Sequence, residues 1–260
     1  MNYSNSYANG LEYLVGSSYS YYSSAKINYF SRFTDDNYHF AREEINFVYR
    51  GKARQMQYHK NKPYHEAIYA ASHPFTPELF LKPSRPRARF VVDNNEAGRI
   101  AGEVFELMAR EKLPDSISIS VLPFDEFRLL HSMFGSWSSG ILGFSLNGEE
   151  KRIFARENHL DALMLVIGHE IGHVLTETLP NKHDEEAKAF AFSVEWANTI
   201  KQHDVANLGS SIKDDFEPAR NGLHDVAFQF VEFMLKKGRN AMQLHDDLAR
   251  HYLSVFDKAY

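Results

Sequence analysis

The stretch from Asn158 to Pro180 constrains the fold more than any other part of the chain. Two histidines, His169 and His173, stand near its centre and are separated by four positions, which places them one above the other on a single helix face. Apolar residues surround the pair, so we predict a buried helix rather than a solvated one. The apolar residues are Leu163, Val166, Ile167, Ile171, Val174 and Leu175.

The residue after the first histidine is Glu170, so the helix contains the pattern H-E-x-x-H. Composition alone would produce this pattern with roughly one chance in twenty, and the apolar context makes a coincidence less credible. Two imidazoles one turn apart can bind one Zn²⁺, and the neighbouring glutamate can take a proton from an attacking water molecule. The motif predicts a zinc peptidase in which His169 and His173 bind the metal and Glu170 is the catalytic base.

Gly168 and Gly172 flank the motif, although each glycine costs a helix interior about 1 kcal/mol relative to alanine. Their presence predicts the close approach of another backbone or of the metal site. At the start of the helix, Asn158 is the predicted N-cap, with Asp161 three residues later as in a capping box.

The remaining zinc ligand must be a histidine or a carboxylate, because the chain contains no cysteine. A catalytic zinc takes three protein ligands, so we expect the third one on the next predicted helix, residues 181–203. Four candidates are consecutive there, and spacing does not choose among His183, Asp184, Glu185 and Glu186.

A metzincin would carry a third histidine six residues after His173, where this chain has Leu179. That class is therefore excluded. Residues 115–200 instead resemble the gluzincin-type ImmA/IrrE metallopeptidases, which follow the H-E-x-x-H helix with a glutamate helix of the pattern E-x-x-A-N-x-F-A-x-E-L. The resemblance is carried by Glu186, Ala189, Phe192 and Glu195, with departures at Phe190, where the family has Asn, and at Ser193, where it has Ala.

A second register, starting at Asp184, matches Ala187, Phe190 and Ala191 but puts aspartate where the family has glutamate. The register starting at Glu186 is preferred. The resemblance then implies that His169, His173 and Glu186 hold Zn²⁺ and that Glu170 is the general base. It also implies an α+β, zincin-like core with a small mixed or antiparallel sheet. The helical C-terminal extension lies outside the resemblance and is predicted from the pattern of its own residues.

Three regions follow from the pattern of predicted elements. Residues 1–89 form an N-terminal accessory or pro-like segment that ends in a Pro- and Arg-rich linker at 82–89, residues 90–205 form the metallopeptidase core, and residues 206–260 form the helical extension. Within the first region, residues 1–30 have no helical period and residues 35–71 have a helical one. In the predicted core, strands lie at 89–92 and 117–121 and helices at 94–112, 124–131 and 181–203. The core also contains a hairpin of 141–145 and 151–155 that turns at Asn147-Gly148 with positive φ. The predicted extension contains helices at 223–237 and 241–256.

Two further features of the expected peptidase are open at this level. The exposed edge of the predicted hairpin is a place where a peptide could add as a strand. The group that stabilises the transition state is not identified by spacing, and the candidates are His131, His159, His224 and Tyr252.

Charge divides the chain unevenly, because residues 1–89 carry a net +5 within a total of −5, which leaves −10 for residues 90–260. A first rival hypothesis is a latent peptidase whose basic N-terminal segment covers the acidic remainder until the linker is cut. A second is a non-catalytic regulatory protein with a structural or vestigial zinc site that binds nucleic acid or a partner protein. We expect a protein or peptide substrate, no membrane or nucleic-acid partner, and a soluble, cytoplasmic protein, because no signal peptide or membrane span is predicted.

Overall fold

The computed structural model describes residues 75–217 and 220–257, together with three short strands, β1 (Asn46–Tyr49), β2 (Lys52–Gln55) and β3 (Ile68–Tyr69). Contacts divide the chain into two compact units, residues 1–62 and 63–260. In the first unit, β1 and β2 form an antiparallel hairpin.

The second unit is α+β. Its further strands are β4 (Phe90–Val91), β5 (Ile117–Leu122), β6 (Gly143–Asn147), β7 (Lys151–Arg156) and β8 (Asn158–His159). Its helices are α1 (Asn94–Ala109), α2 (Phe124–Ser132), α3 (Leu160–Val174), α4 (Lys182–His203), α5 (His224–Lys236) and α6 (Ala241–Ala249). None of these helices is both long and apolar enough to cross a membrane.

The main sheet has the strand order β3-β6-β7-β5 and is mixed. β6 pairs antiparallel with both β3 and β7, whereas β5 pairs parallel with β7. A smaller antiparallel pair joins β4 to β8 immediately before α3. The small mixed sheet expected for the core is present.

The H-E-x-x-H helix, α3, lies at the centre of the second unit. It packs against β6 and β7 on one side and against α4 on another, and α4 in turn contacts α1, α5 and α6. Every residue of α3 is buried, as its apolar sequence predicts. The helix is thereby held in a fixed orientation by the sheet and α4.

The two glycines of α3 make the predicted close approaches. A Cβ atom on Gly168 would lie 2.4 Å from the Trp196 ring, and one on Gly172 would lie 3.0 Å from the backbone of Ala189. Both contacts are made by α4, so the glycines allow the two helices to approach closely at the motif.

The start of α3 differs from the prediction. Asn158 is not its N-cap, because this residue pairs with Val91 as part of β8, and the cap position is His159. Asp161 does not complete a capping box either, since its Oδ2 accepts a hydrogen bond of 2.6 Å from Arg85. Strand pairing and an ion pair have replaced the local capping interactions that the sequence suggested.

The predicted helical stretch at 35–71 is wrong where the structure describes it, because β1, β2 and β3 lie within it. The extended conformation is stabilised by cross-strand pairing, which local periodicity does not register. The prediction for residues 1–30 lies outside the described residues.

Other boundaries also shift. The sequence predicts that the last helix reaches residue 256, but it ends at Ala249. Residues 254 and 255 lie beyond the helix and donate hydrogen bonds to the Asp184 carboxylate. The β6–β7 turn has no positive φ at Gly148; among the described glycines, only Gly222 and Gly238 adopt it. The side-chain amide of Asn147 does not serve the turn. It donates hydrogen bonds of 3.3 Å to the His173 carbonyl and 2.7 Å to the Thr176 carbonyl at the end of α3.

The segment predicted as a linker, 82–89, lies inside the second unit rather than at the division between units. Its surroundings explain this difference. The Lys82 amide bonds to the Ser211 carbonyl, the Arg85 guanidinium pairs with the buried Asp161, and the Arg89 carbonyl accepts from Leu160. The proline and arginine content of residues 82–89 predicts an exposed connector, but these hydrogen bonds and the ion pair attach the segment to the core.

Candidate metal centre

Three side chains from α3 and α4 converge on one buried point. The Nε2 atoms of His169 and His173 lie 3.2 Å apart, and Oε2 of Glu186 lies 3.5 Å from the first and 4.0 Å from the second. These residues form a group of potential ligand atoms that all lie within 4.8 Å of one another. A buried His-His-Glu group of this kind could bind a metal ion.

The spacing fits a tetrahedral ion. Metal–ligand bonds of about 2.0–2.1 Å place neighbouring ligand atoms roughly 3.3–3.5 Å apart. The separations above lie near this range, the longest being the one between His173 and Glu186. The Glu186 carboxylate supports the same interpretation, because no hydrogen bond of ordinary geometry reaches either oxygen from the described residues although the side chain is fully buried. A buried carboxylate needs positive charge or hydrogen-bond donors nearby, and the imidazoles of His169, His173 and His224, or a metal ion bound among these atoms, would supply them.

The other ring nitrogen of each histidine is held by α4. His173 Nδ1 lies 2.7 Å from Oε1 of Glu185, and His169 Nδ1 lies 3.1 Å from Oγ of Ser193. The Ser193 hydroxyl donates to the Ala189 carbonyl, so it accepts from the imidazole. Both Nδ1 atoms therefore carry hydrogen, and both Nε2 atoms are directed at the convergence point, as metal ligands require.

The pKa values of the two histidines are shifted in opposite directions. Burial lowers the pKa of His169 to about 4. Burial acts in the same direction on His173, but the carboxylates of Glu185, Glu186 and Glu170 together outweigh it and raise the pKa of that imidazole. Metal binding would compete with protons for both Nε2 atoms, which lie 3.2 Å apart.

Glu170 lies beside the ligands on the side of α3 that faces β6. A Cβ atom on Gly143 would stand 3.2 Å from the Glu170 carboxylate, and Ser145 hydrogen-bonds to it. Burial raises the pKa of Glu170 to about 7, and the neighbouring His173 opposes that shift. A carboxylate whose pKa lies near neutrality is suited to accept and return a proton.

The four acidic and imidazole candidates on α4 have four different surroundings. His183 contacts the Gly222 carbonyl and the Phe256 ring, and Asp184 accepts hydrogen bonds from residues 254 and 255. Glu185 binds His173, the Leu179 amide and, at 2.9 Å, the buried Lys188 ammonium. Only Glu186 faces the two Nε2 atoms, which agrees with the register that starts at this residue.

Of the four proposed transition-state groups, the structure brings His224 to the centre. Its Nε2 lies 3.3 Å from Oε2 of Glu186, and the side chain is buried. His131 lies in an aromatic cluster with Phe127, Trp137 and Phe144. His159 Nδ1 lies 2.7 Å from the Ala88 carbonyl, and Tyr252 is exposed.

Two groups at the centre were not expected from the sequence. Ser193 was noted only as a departure from the family pattern, yet it orients His169. Phe75, far upstream, stacks its ring on the His169 imidazole with centroids 4.3 Å apart and planes inclined by 11°. No local pattern marks Phe75, because its role depends on a contact across many residues.

Comparison of the chain with protein-family models, with curated proteins and with solved structures returns no match.

Proposed function

We propose that the protein is a zinc-dependent metalloendopeptidase of gluzincin type. The observation that carries the proposal is the convergence of His169 Nε2, His173 Nε2 and Glu186 Oε2 directly beside Glu170. Two neutral imidazoles and one carboxylate, without any cysteine in the chain, are a ligand set typical of catalytic zinc.

Zn²⁺, when bound, supplies a Lewis acid that lowers the pKa of water and polarises the scissile carbonyl. Glu170 takes the proton from the attacking water and returns it to the leaving amine, which its buried position and raised pKa favour. In this proposal His224, whose Nε2 lies 3.3 Å from Oε2 of Glu186, donates a hydrogen bond to the oxygen on which negative charge develops. The expected substrate is a protein or peptide, held in an extended conformation.

The first prediction concerns the motif itself. Protein purified without chelator should contain one zinc per chain by elemental analysis, and His169→Ala should lose it because one of three ligands is missing. Glu170→Gln should keep the zinc but lower the kcat for a quenched fluorescent casein by at least about 100-fold, since proton transfer by a positioned base contributes about 10²–10⁴.

Glu195→Gln is the matched control, because Glu195 lies on α4 without contacting the ligand atoms. It should keep both zinc and activity. Cleavage by Glu170→Gln at the normal rate would remove Glu170 from its role. Absence of zinc from the wild-type protein, together with no effect of His169→Ala, would contradict the metal site.

A further inference from the structure

The proposed catalytic residues are almost inaccessible in the structure. The exposed fractions are 2% for His169, 6% for Glu170, 4% for His173 and 0% for Glu186. A peptidase that cuts proteins must admit an extended backbone within contact distance of the metal and the base. The residues that cover the site are therefore of functional interest.

Phe75 is one of these residues. Its ring stacks on His169 and also lies 6.0 Å from the Phe190 ring and 5.3 Å from the Phe80 ring, by centroid distance. Phe75 itself is only 7% exposed. An aromatic side chain therefore lies directly against a proposed metal ligand.

β3 is the second element of interest, because it pairs with β6, the strand that runs beside the site. β6 runs beside α3, with Gly143 against Glu170 and with Asn147 bonded to the His173 carbonyl. β3 pairs with β6 so that Tyr69 lies opposite Ser145, the residue that hydrogen-bonds to Glu170. The edge of β6 where a peptide could add as a strand is thus occupied by the chain itself.

Residues 80–82, which follow Phe75, are held by residues 211–213 and not by β6. The Lys82 amide donates to the Ser211 carbonyl, and the Phe80 carbonyl accepts from Lys213. Leu81 forms a β-bridge with Ile212. This anchor does not involve β6, so residues 80–82 are attached to the core independently of β3.

We infer that β3 and Phe75, here called the covering segment, occupy the position of an extended peptide substrate and keep the enzyme latent. The inference rests on the proposed peptidase function and concerns the regulation of that same site. It also describes the substrate: an extended peptide that pairs antiparallel with β6 and places an aromatic side chain against His169. Displacement of the covering segment would expose both the strand edge and the metal.

Two variants of the full chain test this. In the open variant, Ile68→Pro and Tyr69→Pro disrupt the pairing with β6, because proline cannot donate to a strand ladder, and Phe75→Ala removes the stacked ring. In the locked variant, Ile68→Cys and Leu146→Cys introduce the chain's only cysteines at directly opposite positions, which are about 4.5–5.5 Å apart in antiparallel strands and suit a disulfide. Phe105→Ala is the control for general loosening, since Phe105 is equally buried and its ring packs on Phe192.

Three measurements are made on each protein: binding of a fluorescein-labelled peptide with the sequence of residues 63–75, the rate at which a chelator extracts zinc, and cleavage of quenched fluorescent casein. The open variant should bind the peptide and lose zinc at least about tenfold faster than the wild type, as expected when the open population rises by that factor. It should also cleave casein faster, whereas Phe105→Ala should behave as wild type. The oxidised locked variant should be inert, and reduction with a phosphine should return it to the wild-type level.

The outcomes separate the two proposals. Equal peptide binding by the open variant and the wild type, or casein cleavage by the oxidised locked variant at the wild-type rate, overturns the inference and leaves the peptidase function standing. If only the open variant binds the peptide, the inference about the covering segment is supported, whether or not the proteins cleave casein or hold zinc. If none of the proteins cleaves casein or holds zinc, the proposed peptidase function is contradicted.

Discussion

At the metal centre, each neighbouring residue of α4 has a separate role. Glu186 faces the two Nε2 atoms, whereas Glu185 turns to His173 Nδ1 and is held there by Lys188 and by the Leu179 amide. Partners that orient a metal ligand typically change metal affinity by about 10–100-fold when they are removed. Glu185 is therefore a positioning residue, and its effect should be separable from that of a group that acts on the substrate.

Glu185→Gln should weaken zinc affinity by about 10–100-fold, because an amide orients the imidazole less strongly than a carboxylate does. The comparison variant is His224→Gln, which should lower kcat by about 10²–10³, a larger factor than its effect on zinc affinity through Glu186, since donors to a developing oxyanion contribute this much. Competition with a fluorescent zinc chelator gives the affinities, and casein cleavage gives the rates. Equal zinc affinities for Glu185→Gln and the wild type would show that Glu185 does not position His173.

At the level of elements, the close packing of α3 and α4 determines where the ligands meet. Gly168 accommodates the Trp196 ring, whose Nε1 donates 2.8 Å to the Met164 carbonyl and so fixes the indole against α3. Gly172 accommodates the backbone of Ala189. Wider separation of these helices would move Glu186 away from the two histidines.

Gly168→Ala should destabilise the protein by about 1–3 kcal/mol, because the added methyl group overlaps a ring that cannot move without breaking its hydrogen bond. Gly98→Ala is the matched control on α1, where no described atom lies within 4 Å of the added Cβ atom. This control should stabilise the protein by about 0.4–1 kcal/mol. Urea unfolding measures both, and equal stabilities of the two variants would contradict the close approach at Gly168.

At the level of the whole molecule, residues 75–91 belong to the second unit and connect two parts of it, the segment around residues 211–213 and the start of α3. The segment bonds to Ser211 and Lys213 on one side and reaches the start of α3 through Arg85 and Arg89 on the other. The Asp161 carboxylate is 1% exposed and depends on Arg85 for its charge partner. A cut or substitution here should therefore affect the fold of the core.

Arg85→Ala should lower the free energy of unfolding by about 2–3 kcal/mol, because it leaves a buried carboxylate without its charged hydrogen-bond donor. Arg99→Ala removes an ion pair with Glu103 whose side chains are 67% and 48% exposed, and it should cost less than about 0.5 kcal/mol. Urea denaturation at neutral pH compares the two variants. A loss as small for Arg85→Ala as for Arg99→Ala would mean that 82–89 is the simple connector that its composition suggested.

Local sequence was sufficient for the elements whose residues interact with near neighbours. The apolar period of α3, the spacing of His169 and His173, and the strand predicted at 117–121 and observed at Ile117–Leu122 all follow from short-range rules. The glycines at 168 and 172 predicted the close approach of another backbone or of the metal site, and α4 makes both approaches.

Spacing did not choose among His183, Asp184, Glu185 and Glu186, and the sequence preferred Glu186 only through the register of the resemblance. The tertiary structure turns Glu186 toward the histidines, because the four consecutive side chains differ in their direction around α4. It also decided that Asn158 pairs as a strand, that Arg85 is tied to Asp161, that Phe75 stacks on His169 and that β3 pairs with β6. These contacts join residues far apart in the chain, and their stability comes from burial and pairing that exist only after folding. The motif therefore predicted a pair of histidines that could bind a metal ion, while long-range packing brought Glu186 beside them and buried the group.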